Sequence, residues 1–214
     1  MANVRATPPA TPISPAPISS PAVATAVADP NPLGLSALAL TWFIFSLVNI
    51  GVVPAGGGAK VVLAVALVYG GLTLLLAGMW EFRAGNTLGA TAAASFGAFW
   101  LSYVVLLTPG LFGISNTAIE YRPMGVYLLG WAIVTAILAI ASLRTTVAFA
   151  AILVLLFLTF LLLGVAQLTD NDALTALGGW LGILTALVAW YTALAGLLRT
   201  VSRGAIALPV YPLA

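Results

Sequence analysis

Long apolar runs separated by short polar breaks fill the chain from about residue 34 onward. About 20 helical residues are needed to cross roughly 30 Å of hydrocarbon. Windows of that length fall at 34–53, 61–81, 87–107, 124–143, 146–167 and 174–198, which predicts six transmembrane helices in an all-α polytopic membrane protein. Turn chemistry marks the breaks: Pro54 with Gly56, Gly57 and Gly58; Arg83 to Asn86; Pro109 to Pro123; Arg144 to Thr146; and Thr169 to Asp172. The last break places Asp170 and Asp172 where a helix N-terminus favours negative charge.

Residues 1–28 are rich in Pro, Ala, Ser and Thr and hold no continuous apolar run, so they read as a disordered tail. The prolines also interrupt any signal-peptide core. A six-helix domain follows over 29–200, and 201–214 form a C-terminal tail. Arg5, Arg83, Arg144, Arg199 and Arg203 collect on one side of such a domain, Lys60 and Arg122 on the other. The positive-inside bias then puts both termini in the cytoplasm.

Composition removes most other classes. With 62% hydrophobic and 6% charged residues the chain is no soluble domain, which carries about 25% charge. It has neither Cys nor His, so thiolate nucleophiles, imidazole bases and the usual soft-metal ligands are missing; no cofactor or metal is expected, and enzyme chemistry lacks its parts. A net charge of +2 is too small for a nucleic-acid footprint.

The stretch AGMWEFRAGNTLGATAAASFGAFW, 77–100, carries the most unusual pattern. On its helix Thr87, Thr91, Ser95 and Ser102 form a hydroxyl stripe, beside a face of Gly89, Ala92, Phe96, Phe99 and Tyr103 that is small at one end and aromatic at the other. Small residues at Gly89, Ala93 and Gly97 are ordinary for close helix packing, and Ser or Thr hydroxyls bond back to their own helix. The rings that follow suit a hydrophobic constriction. Asn49, near the end of the first helix, either bonds to a neighbouring helix or lines a polar vestibule. No ionisable residue stands in the middle of a span, which disfavours a proton relay; Glu81 and Arg83 lie at the end of one, close enough to pair.

Together DPNPLGL (29–35), YGGLTLLLAGMWEFRAGNTLGATAAASFGAFW (69–100), VYLLGW (126–131) and GGWLG (178–182) resemble the acetate uptake transporter family, whose bacterial members are succinate/acetate permeases. The resemblance covers about residues 29–200. It implies a homo-hexamer in the plasma (inner) membrane with a path in each protomer, and uptake of acetate and, in some members, succinate. It further implies a constriction at Leu38, Phe96 and Leu156, with Ala189 at a position linked to substrate size. Asn31, Asn49, Thr91, Ser95 and Phe99 are candidates for the substrate path, Asp29 and Glu81 for the cytoplasmic mouth. Three positions depart from the family: Asp29 and Asn31 stand where it has Asn and Ala, and Leu38 where an aromatic is typical.

An acetate-like carboxyl has a pKa near about 4 and is mostly anionic at neutral pH, and an anion crosses an apolar neck only at high cost. Either the neutral acid passes, proton-coupled through the substrate's own carboxyl because the protein offers no buried carboxylate, or hydroxyls and amides hold the anion through a short neck. A channel for small neutral solutes such as urea is the alternative use of an uncharged, small-residue pore.

Overall fold

A computed structural model describes residues 27–111 and 121–213. Most of the expected N-terminal tail, with Arg5, lies outside them, as does most of the 109–123 break. Among the described residues six helices are long and apolar enough to cross a membrane. They are α1 (Asn31–Asn49), α2, α3 (Thr87–Leu107), α4 (Tyr121–Ser142), α5 (Val147–Thr169) and α6 (Asp172–Val201). Helix α2 runs in three stretches, Ala55–Val65, a π-helical Ala66–Thr73 and Leu74–Arg83. The chain is thus a multi-pass, all-α membrane protein.

Helix ends follow local chemistry. Pro32 sits in the first turn of α1, where its missing N–H is harmless. Side chains cap three others: Asn86 accepts from Gly89 N–H, Thr146 from Phe149 N–H and Asn171 from Leu174 N–H. Of the acidic pair, Asp172 lies in the first turn of α6 as expected, whereas Asp170 ends α5 in the left-handed region at φ 50°. The glycine run 56–58 is not a break: it forms the first turn of α2. A Cβ on Gly58 would come within 2.7 Å of Val48 Cγ2, so the glycine lets that turn tuck under the end of α1.

Each helix packs on its chain neighbours and α6 packs on α1, which closes a ring whose thinnest seam lies between α3 and α4. Backbones touch where side chains vanish. A Cβ on Gly78 would lie 2.7 Å from Ala94 N and one on Gly97 2.7 Å from Leu75 N, so α2 and α3 meet main chain to main chain. Large apolar side chains such as Leu76, Ile137, Ile140 and Trp180 point outward, a surface suited to lipid or to other apolar helices.

Inside the ring the space is filled by aromatic side chains. Phe99 on α3 is fully buried and packs against Trp42, Trp100, Tyr103, Tyr127, Trp131 and Phe160, with centroids 4.8–6.1 Å away. Four helices therefore contribute to one central plug.

Candidate functional site: a vestibule, a narrow cavity and an aromatic plug

The 81–89 turn builds the inner wall of the site. Gly85, at φ 80°, reverses the chain after α2 in a conformation costly for any side chain. Asn86 then faces both ways: its Nδ2 donates to Glu81 Oε2 at 2.7 Å, and its Oδ1 accepts from Gly89 N–H at 3.1 Å. Glu81 is 4% exposed, so the protein does hold a buried carboxylate, contrary to the expectation from its place at the end of a span. The partner observed for it is Asn86 and not the adjacent Arg83, whose side chain is exposed. The last turn of α2 leans on α3 through Gly78, and that contact draws Glu81 inward.

Two cavities follow one another from this end. The outer one, a vestibule of about 530 Å³, is lined by Asp29, Asn31, Asn86, Thr146, Thr192 and Arg199 among others. Part of its wall is the C-terminal segment, through Ala207, Leu208 and Val210. That segment is held down by Val147 N–H to Tyr211 O (2.7 Å), Leu213 N–H to Thr145 O (2.9 Å) and Tyr191 O–H to Pro209 O (2.9 Å). The expected C-terminal tail is thus part of the site. The inner cavity has only about 30 Å³, room for about one water, and runs from Asn31 and Glu81 past Gly34, Ala77 and Gly89 to Leu38, Phe96 and Leu153. Asn31 and Phe149 line both cavities and join them.

Leu38 (4% exposed) and Phe96 (1%) close the inner end, and fully buried Leu156 lies four residues beyond Ile152 of the cavity wall in the same core. Beyond them, Phe96 stacks on Phe160 at 6.4 Å and Phe160 meets Trp42 at 5.1 Å. Helix α3 turns its small and aromatic face, Gly89, Ala92, Ala93 and Phe96, to the cavity. Thr91 and Ser95 are not among the lining residues; Thr91 is exposed and bonds back to Thr87 O at 2.7 Å. Asn49 lies at the opposite end of α1 and bonds to Phe45 O of its own helix at 3.0 Å, neither across to another helix nor into either cavity. Ala189 is fully buried on α6, outside both linings. Asp29, just before the N-cap Pro30, accepts from Asn31 N–H at 3.0 Å and so ties down the approach to α1 at the vestibule.

Among the described residues no cluster of Asp or Glu could hold a metal ion. What the arrangement offers is a polar mouth, a one-file neck and a hydrocarbon closure. Sequence reasoning passed over Phe149, used Arg199 only for orientation and assigned the C-terminal segment no contact. The N-cap signature at Asn86 was the one available signal for that residue's position.

A family model described as the GPR1/FUN34/yaaH family matches residues 13–214. The chain belongs to this family. Acetate permease A of Emericella nidulans is 45% identical over an alignment of 184 positions that covers 79% of this chain and 61% of that protein. The chain thus spans less than two thirds of the fungal relative's length. The succinate-acetate/proton symporter SatP of Escherichia coli is 31% identical over 175 residues, 82% of this chain and 91% of the symporter. A solved structure of the bacterial acetate channel SatP superposes with a TM-score of 0.79 at 31% identity, covering 86% of this chain and 98% of that one. The six-helix ring is therefore the family's fold, and these relatives are named as carriers or channels.

Proposed function

We propose that this chain transports short carboxylates, chiefly the monocarboxylate acetate and with it the dicarboxylate succinate, across the plasma membrane through the interior of each ring. The carrying observation is the continuous series from the polar vestibule through the narrow cavity to the closure at Leu38 and Phe96. The names of the relatives support the substrate class. Acetate, with few non-hydrogen atoms, suits a neck of about 30 Å³ that must widen only slightly to pass it.

Arg83 and Arg199 lie in the last turns of α2 and α6, and Arg144 and Arg203 just follow α4 and α6, on the side of the vestibule, so the same proposal turns the vestibule to the cytoplasm. The chain works without catalysis and without a cofactor, as a homo-hexamer of independent paths. Proton coupling has two supports: the substrate's own carboxyl, and the buried Glu81 that lines the neck.

Uptake of labelled acetate into liposomes carrying the purified protein tests this, with and without an inward proton gradient and with unlabelled succinate, lactate or urea as competitors. Saturable uptake accelerated by the gradient is expected. Urea flux without protein-dependent acetate flux would overturn the assignment. The mass of the detergent-solubilised particle tests the hexamer.

A further inference from the structure

Leu38 and Trp42 stand four residues apart on α1, as do Phe96 and Trp100 on α3. Residues at that spacing share a helix face, and four residues advance about 6 Å along the axis. Both helices run away from the vestibule, so the two tryptophans form the layer just beyond the constriction, their ring centroids 5.3 Å apart. Ser46 continues the α1 face by one more turn.

All three side chains are fully buried, and Trp42 Nε1, Trp100 Nε1 and Ser46 Oγ find no hydrogen-bond partner among the described residues. The rings around Trp42 are Phe45, Phe99, Trp100 and Phe160, none of which carries an oxygen acceptor. A buried donor without a partner is unfavourable in any protein, and more so where no water competes. Two such donors side by side, with a hydroxyl a turn further, make a poor packing solution. Phenylalanine would fill the same apolar space without the penalty.

We infer that Trp42, Trp100 and Ser46 form an inner binding layer for a carboxylate in transit. When the plug parts, the two indole N–H groups and the hydroxyl donate to the oxygens of a substrate that has just left the solvated side. An indole N–H is a donor only, so these two groups are matched to carboxylate or carbonyl oxygens. The inference rests on the transport reading above. Within it, the layer explains how a carboxylate crosses a hydrocarbon closure: the unpaired donors raise the closed state, and their pairing stabilises the most apolar point of the path.

The test is acetate uptake by the full chain in proteoliposomes. Trp42→Phe and Trp100→Phe are each expected to lower the maximal rate about tenfold, the effect of losing one donor to a charged acceptor. The half-saturating concentration, set at the vestibule, should move by less than about twofold, since the layer acts after entry. Replacing either indole by benzothiophene, which keeps the ring shape and loses the N–H, should reproduce the loss. Ser46→Ala, a change small enough to fold, should lower the rate about fivefold. Full activity in the benzothiophene proteins, or unchanged flux in Ser46→Ala and both Phe variants, would overturn the inference and leave the rings as packing alone. Lack of acetate uptake by the unaltered chain is a different result, which removes the transport reading and this layer with it.

Discussion

Asn86 donates to the Glu81 carboxylate at 2.7 Å while capping α3 through Gly89 N–H at 3.1 Å. One amide thus fixes the start of a helix and the acid that lines the neck. A Cβ on Gly89 would press on Asn86 Cγ at 2.9 Å and on Glu81 Oε2 at 3.2 Å, so the Asn-x-x-Gly spacing is what lets the three groups nest. Asn86→Ala removes the cap, worth about 1 kcal/mol, and leaves a buried carboxylate without its donor, worth about as much again. Thermal unfolding in detergent should show a loss of about 2 kcal/mol. A shift no larger than that of an exposed Ala84→Gly control would separate Glu81 from Asn86.

Glu81 also gives a pH test. When Glu81 is charged, it repels an incoming anion in this narrow neck by a Coulomb interaction that water screens poorly there. Glu81→Gln keeps the shape and removes the charge. It should raise acetate uptake at neutral pH by up to about tenfold and flatten its rise toward acid pH. An unchanged pH profile would assign proton coupling to the substrate alone.

The two sides of the closure should respond in opposite directions. Leu38→Phe adds ring volume beside Phe96 at a stability cost of about 1–3 kcal/mol, and should slow lactate and succinate more than acetate. Phe96→Ala empties a site that is 1% exposed, costs about 3–5 kcal/mol and should admit larger carboxylates or raise flux. Competition for labelled acetate uptake by each acid reads both effects. Identical selectivity in the two folded variants would remove these residues from the closure.

The length of the apolar runs carried the six spans because hydrocarbon thickness sets it, and α3 begins and ends at the expected residues because Asn86 and Thr108 mark both ends locally. The start of α2 was not legible: three consecutive glycines signal a turn, and only the facing Val48 and Val53 show why they form a helix. The direction of each face was also hidden. Spacing groups Thr91 with Ser95 but cannot say that Ala92 and Phe96 point inward instead. Glu81 misled for a similar reason, since depth along a helix axis is read from sequence and depth from the ring's surface is not. Trp42 and Trp100 were silent in an apolar run, where an unpartnered N–H leaves no trace in the pattern.

The vestibule holds one charge of each sign among its lining residues, Arg199 and Asp29, and these should act oppositely on an approaching anion. Arg199 ends α6 in the last turn and lies exposed at the rim, where an arginine attracts carboxylates over about a Debye length and is screened by salt. Asp29 repels them, yet its Oδ1 also accepts from Asn31 N–H at 3.0 Å and ties down the approach to α1. The two roles can be separated because the amide oxygen of asparagine accepts the same bond without the charge. Asp29→Asn should therefore leave stability within about 0.5 kcal/mol and lower the half-saturating acetate concentration. Arg199→Gln should raise that concentration about threefold at low ionic strength, with the difference fading as salt is added. Maximal rates should stay level in both, since neither residue reaches the neck. Equal half-saturation in all three proteins at low salt would mean that substrate enters without electrostatic guidance, and that Asp29 serves α1 alone.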